Sequence, residues 1–256
     1  MEYVVVKLGG SLVSPVKKVV DMKLVDDYVK KIRKLVSMKD SPRLILVIGG
    51  GNTSRMYRDV SEYCKEDSEV DKHRVGITAT WLNAELVRSL LDDVSFRRVL
   101  GVGVYADDRA EGESRVAKDF ESWLSGDKAV LVSGGFINGA STDLNAILLA
   151  SKIGVEQVFK LTDIDYVYTS DPDKDAKAKK MENFSWDEYF RIFDSTLEKS
   201  GQKLKHDPGQ HIPVDLLAAR LASENNVSVH VVKGDNSDIL EDIFADKPVK
   251  GSFIHP

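Results

Sequence analysis

The residues that could do chemistry are clearest in Leu44-Ile-Leu-Val-Ile-Gly-Gly-Gly-Asn-Thr-Ser-Arg55, where an apolar strand pattern breaks into three glycines and a polar helix start carrying an arginine. Residues without a Cβ let backbone N–H groups approach a ligand closely, and the following helix aims its positive end at the same point. The segment reads as an anion-binding loop. Two further strand-to-glycine exits occur, at Val4-Val-Val-Lys-Leu-Gly-Gly-Ser11 and at Ala129-Val-Leu-Val-Ser-Gly-Gly135. Three such exits in one chain would gather several phosphates along one edge of a sheet, which points to phosphoryl transfer.

Such a reaction needs positioning and positive charge on the equatorial phosphoryl oxygens more than covalent help from the protein. Lys7, Arg55 and the glycine N–H groups could supply both. Lys7 ends an apolar strand just before Gly9-Gly10, where its side chain could meet the phosphate held by those amides; it could equally leave the sheet into solvent. Asp143 follows Ser141-Thr142 and opens an apolar helix pattern. It could cap that helix, orient Lys7 and a magnesium ion, or do both.

The elements that would hold these groups alternate. Short, continuously apolar, β-branched runs at Tyr3–Leu8, Leu44–Ile48, Arg98–Val102, Ala129–Ser133, Val158–Leu161 and Val227–Val232 read as strands covered on both faces. Helical patterns lie between and after them at Lys23–Met38, Asn83–Leu91, Leu144–Ile153 and Val214–Glu224, with an aromatic helix near Trp186–Phe193. Strand-helix alternation predicts an α/β fold, a three-layer α/β/α sandwich around a mainly parallel sheet with right-handed crossovers. The more polar stretch Ser170–Pro213, with a loop containing Gly201, Pro208 and Gly209, is expected to be a mobile cover over the nucleotide.

Composition narrows the function classes. The chain has 256 residues, 42% hydrophobic and 30% charged, enough for one large core or two closely joined lobes. A formal charge of −5 and the lack of a long basic run argue against a nucleic-acid partner. One cysteine, Cys64, cannot form an internal disulfide, and the start of the chain enters a strand pattern with no leader-like segment, so a cytoplasmic, membrane-free setting is expected. Rival motifs fail. Gly101-Val-Gly-Val-Tyr-Ala106 matches a dinucleotide fingerprint, but the following Asp107–Ser114 segment is expected to lack the apolar face of a Rossmann helix. No Walker A loop occurs, and His73, His206, His211, His230 and His255 are scattered without metal-ligand spacing.

Together these segments resemble the amino acid kinase superfamily, and within it the uridylate (UMP) kinases of archaeal type, over nearly the whole chain. The resemblance is carried by Lys7–Ser11, Gly49–Arg55, Gly76-Ile-Thr-Ala-Thr-Trp-Leu-Asn83, Gly134–Asp143, Leu161–Pro172 and Pro213-Val-Asp-Leu-Leu-Ala-Ala-Arg220. It implies a single kinase domain, with an acceptor-side lobe (about 1–155) and an ATP-side lobe (about 156–256), that phosphorylates UMP with ATP and Mg²⁺ as part of pyrimidine nucleotide synthesis.

For individual residues it implies Lys7, Arg55 and Asp143 in catalysis, with Lys7, Leu8, Gly9, Gly10, Gly51, Arg55, Lys160, Thr162, Tyr168 and Asp171 around ATP. Around UMP it implies Gly50, the run Gly134, Gly135, Phe136, Ile137, Asn138, Gly139, Ala140, Ser141 and Thr142, and either Asp71 or His73. His73 stands where the family usually has a ribose-binding aspartate, and Asp71 is two positions away. Tyr166 replaces a usual glycine, and Asn138-Gly139 replaces the usual Pro-Gly or Asn-Pro. The other readings carried forward are a kinase of another small phosphate or carboxylate acceptor, such as isopentenyl phosphate, and a non-catalytic nucleotide-binding or storage protein. The resemblance also implies a homo-oligomer, a hexamer of dimers, with Lys23–Met38 or Gly76–Leu91 as candidate contacts. No metal ligand is assigned to a protein side chain.

Overall fold

The computed structural model describes residues 2–64, 69–172, 174–194 and 212–256. Its centre is a seven-stranded sheet that begins with β1 (Tyr3–Leu8), β2 (Arg43–Ile48), β3 (Val130–Ser133) and β4 (Gln157–Thr162), and is completed by β7 (Asn183–Ser185), β8 (Ser228–Lys233) and β9 (Gly251–His255). The strand order is β3-β2-β1-β4-β8-β9-β7, parallel throughout except where β9 runs antiparallel to β8. A separate antiparallel ribbon pairs β5 (Val167–Tyr168) with β6 (Lys180–Met181).

Helices cover both faces, as the continuously apolar strands require. On β1, Val4, Val6 and Leu8 join the core under α2 (Met22–Val36), α4 (Glu69–Leu90) and α9 (Ile239–Phe244), while Val5 joins the opposite core under α5 (Arg109–Leu124), α6 (Thr142–Lys152), α7 (Trp186–Phe193) and α8 (Leu216–Glu224). The period of two along a strand thus divides one apolar run between two cores. Local signals start the helices. Asp21 caps α2 by accepting from Leu24 N–H, Asp108 caps α5, Ser185 and Glu188 form a capping box on α7, and Asp215 caps α8.

Chain order places the cleft. From β1 the chain builds outward through β2 to β3, then returns to lay β4 on the other side of β1, so adjacent crossovers diverge between β1 and β4. In such sheets the crevice opens at the carboxyl ends of the strands at that switch point. Lys7 to Gly10 and Lys160 to Thr162 stand there.

Several expectations need correction. Arg98–Val102 is not a strand: this segment is a loop held to β3 by isolated bridges at Ser95 and Leu100. Within Asp107–Ser114 only Gly112 is buried, but the helix that this segment opens, α5, has an apolar face further along at Val116, Phe120 and Trp123. Its first two turns carry no large apolar side chain. Residues 183–193 do not form a cover over a nucleotide; they build the sheet edge and a helix whose Trp186, Tyr189 and Phe193 enter the core. Gly201, Pro208 and Gly209, with His206 and His211, lie outside the described residues.

Candidate active site

Strand register creates the charged centre. Lys7 and Lys160 are Cα partners on adjacent parallel strands, so both side chains leave the same face of the sheet. That face carries α6, whose first turn holds Asp143. Lys160 Nζ donates to Asp143 Oδ2 at 2.5 Å, and Lys7 Nζ lies 3.1 Å from Oδ1 as an ion pair without a donor aligned on that oxygen. Lys160 also donates to the carbonyl of Pro213, on the turn leading into α8. Burial alone would raise the Asp143 pKa, but the charges of Lys160 and Lys7 outweigh it and hold the carboxyl well below the usual carboxylate range. Burial pushes the Lys160 pKa down, and Asp143 opposes the shift.

Capping of α6 falls to Ser141, whose Oγ accepts from the N–H groups of Asp143 and Leu144. The Asp143 carboxylate is thereby left to the lysines. Ser141 Oγ in turn donates to Asp215, which caps α8 through the Ala218 N–H. One side chain therefore joins two helix starts beneath the lysine pair.

The glycine exits interlock. A Cβ on Gly10 would stand 2.0 Å from Gly51 N, and one on Gly51 would stand 2.1 Å from Gly10 O. Gly51 also has φ +60°, which disfavours any side chain. The first requirement on these glycines is therefore close approach of two loops. The helix after the second loop, α3 (Gly51–Tyr63), commits its early N–H groups internally, Asn52 to Ser14 O and Thr53 to Ser14 Oγ. The anion-binding capacity expected of this helix start is thus narrower than the sequence implies.

Around these loops lies a cleft of about 290 Å³. Five lysine and arginine side chains line it, Lys7, Arg55, Arg58, Lys72 and Lys160, against the carboxylates Asp143 and Asp215. A chain of formal charge −5 has concentrated cations where its glycine loops meet.

Of the expected residues, the cleft brings together Lys7, Gly9, Gly10, Gly50, Gly51, Arg55, His73, Gly135, Gly139, Ala140, Ser141, Thr142, Asp143, Lys160 and Thr162. It leaves out Leu8, Gly134, Phe136, Ile137, Asn138, Asp71, Tyr168 and Asp171. Leu8, Phe136 and Ile137 are core residues, and Asn138 turns away to donate to Asp107. Asp71 lies off the lining face of α4, which presents His73, Gly76, Ile77 and Thr80, and pairs with Arg74 at 3.6 Å. Tyr168 belongs to the β5–β6 ribbon, and Asp171 pairs with Lys174 at 2.9 Å. Tyr166 needs no left-handed backbone and is buried with the Lys180 ammonium 4.3 Å from its ring centre.

Sequence reasoning missed Ser54, Arg58, Thr80 and Asp215, which also line the cleft, and Asn83, which braces it from behind. Helical spacing from His73 would have found Thr80. Asp215 stood within the Pro213–Arg220 motif but was given no role there.

A model of the amino acid kinase family matches residues 2–233. The chain belongs to that family. Its relatives include the uridylate kinase of Methanococcoides burtonii, 30% identical over 239 residues that cover 93% of this chain and 89% of that one. The uridylate kinase of Pyrococcus abyssi is 27% identical over 254 residues, 99% of each chain. The crystal structure of uridylate kinase from Archaeoglobus fulgidus superimposes with a TM-score of 0.69 at 25% identity, covering 99% of this chain and all of that one. At 20% identity, the UMP kinase structure from Bacillus anthracis shares the fold with a TM-score of 0.68. The α/β/α sandwich with a mainly parallel sheet is thus the amino acid kinase fold.

Proposed function

We propose that this protein transfers the γ-phosphoryl group of ATP to the phosphate of UMP, giving ADP and UDP. The observation that carries this reading is the convergence of Lys7 and Lys160 on Asp143 at the switch point, where the glycine loops meet in a cationic cleft. The likeness to uridylate kinases along almost the whole chain supplies the acceptor. A phosphate oxygen of UMP attacks the γ-phosphorus in line as the bond to the ADP oxygen breaks, and charge grows on the bridging and equatorial oxygens.

Lys7, with the backbone of Leu8, Gly9 and Gly10, meets the transferred group. Gly50, Gly51 and Arg55 hold phosphate oxygens on both sides of it. ATP lies over β4, with Lys160 and Thr162 at its phosphates and the Tyr168–Asp171 segment toward adenine and ribose. UMP lies between α4 and the Gly134–Thr142 loop, with His73 toward the nucleoside. Asp143 accepts no proton in this scheme; it pairs with two ammonium groups and aims them at one place.

Among the described residues no group of three histidine, cysteine or carboxylate side chains could hold a metal ion. Both cleft carboxylates are engaged, Asp143 by lysines and Asp215 by Ser141 and Ala218. The site therefore suits Mg²⁺ carried on the ATP phosphates, where it neutralises oxygen charge. Among the described residues no helix is long and apolar enough to cross a membrane.

A coupled ADP-release assay with Mg·ATP against UMP, CMP, AMP, isopentenyl phosphate, acetylglutamate and aspartate tests the proposal. Strong preference for UMP is expected. Preference for another acceptor would replace the substrate, and ATP binding without turnover on any would favour a binding or storage role.

A further inference from the structure

We infer that Asn83 is a positioning residue for phosphoryl transfer: it pins the two peptide planes of the triple-glycine loop from behind. The inference rests on reading the cleft as a phosphoryl-transfer site. Asn83 lies on α4, is buried and does not line the cleft. Its Nδ2 donates to Gly49 O at 2.9 Å and to Gly50 O at 2.9 Å, using one hydrogen for each.

Three successive glycines have no side chains to fix their peptide planes, so each plane can turn over at little steric cost. No peptide bond in the described chain is cis. In a planar trans peptide the C=O and N–H point in opposite directions. Holding the Gly49 and Gly50 carbonyls toward α4 therefore turns the N–H groups of Gly50 and Gly51 away from it. Those two amides matter because the next two, of Asn52 and Thr53, are already taken by Ser14. Gly50 O also accepts the Ser54 N–H at 3.2 Å, so α3 shares in holding the second plane, while the carbonyl of the first is held by an amide that does not line the cleft.

The same helix holds the acceptor-side loop. One turn before Asn83, Thr80 Oγ accepts from Gly135 N–H at 2.7 Å, and Trp81 Nε1 donates to Gly135 O at 2.7 Å. A Cβ on Gly134 would stand 2.6 Å from the Trp81 ring. Helix α4 fixes two glycine loops relative to each other, and Asn83 is its contact with the phosphate-side loop.

The test compares Asn83→Asp and Asn83→Ser with wild type, reading kcat, KM for ATP and UMP, thermal unfolding, and spectra of protein carrying ¹⁵N-glycine titrated with tripolyphosphate. Asn83→Asp keeps the volume but turns oxygens toward both carbonyls. We expect kcat to fall about 10²-fold, with KM values changing far less, while unfolding stays cooperative. Asn83→Ser keeps one donor and should lose about tenfold; it answers the question if the aspartate variant does not fold. In wild type the Gly50 and Gly51 amide signals should shift with tripolyphosphate, and the variants should lose those shifts. Folded variants with wild-type kcat, or with unchanged glycine shifts, would overturn the inference. If wild type itself does not phosphorylate UMP, the proposed function falls, and the glycine spectra still decide the role of Asn83.

Discussion

Lys7 and Lys160 stand opposite each other in register on neighbouring parallel strands, and both ammonium groups converge on the Asp143 carboxylate. Two like charges brought together with side chains only 11% exposed need a counter-charge, and Asp143 supplies it. Exchanging that carboxylate for an isosteric amide leaves two buried cations unneutralised. Asp143→Asn should destabilise the fold by about 3 kcal/mol and lower turnover at least about tenfold, measured by urea unfolding and ADP release. Unchanged urea midpoints would show that the lysines do not depend on this carboxylate.

The same carboxylate predicts an acid limit. Its pKa is held below that of the unfolded chain, so the folded state keeps its charge where the unfolded state takes up a proton. Its contribution is complete above the ordinary aspartate pKa of about 4 and is lost as pH falls through the lowered value. Wild type should therefore lose stability below about pH 4 more steeply than Asp143→Asn, as read from urea midpoints across pH.

Much of this arrangement was legible because it is local. Continuous apolar runs ending in glycine announced β1, β2 and β3, and Lys7 stood out as a charge at the end of such a run. What stayed hidden depends on tertiary contact. Asp143 looked as much like a helix cap as a charge partner, and only the folded chain shows that Ser141 does the capping. Thr80, Trp81 and Asn83 stood in a motif of the resemblance but drew no role, because their partners are backbone groups some 33 to 55 residues away in sequence. Arg98–Val102 has strand composition but joins β3 only through isolated bridges, while the strand β9 gains its place by antiparallel pairing with β8. The face of α5 was missed because its large apolar residues, Val116, Phe120 and Trp123, begin only after two turns without one.

His230 predicts a second, milder pH effect. Its ring is stacked between Phe159 and Phe253, with centroids 4.8 and 4.5 Å away, and burial lowers its pKa from 6.5 to about 4. Between those values the unfolded chain binds a proton that the folded chain refuses, so stability is complete above about pH 6.5 and declines toward pH 4. The ring is only partly buried, and the decline should be on the order of 2 kcal/mol. His230→Phe should flatten it in calorimetry between about pH 4 and 7, and an unaltered slope would assign the effect elsewhere.

The interlocked loops predict intolerance to a single methyl group. Gly51→Ala meets Gly10 O at 2.1 Å and a backbone at φ +60°, so it should cost at least about 2 kcal/mol and abolish most activity. Gly103→Ala is the control, because no atom lies within 4 Å of its Cβ position and only its positive φ is strained. Thermal unfolding of the two variants should separate clearly, with Gly51→Ala far lower.

That the lysine pair moves a phosphoryl group from ATP to UMP is tested most directly by ³¹P NMR of product formation. With Mg·ATP and UMP, wild type should produce the resonances of UDP and ADP in equal amounts, and Lys7→Ala should do so on the order of 10²–10³ times more slowly while remaining folded. Absence of UDP with wild-type protein, or an equal rate with Lys7→Ala, would contradict it.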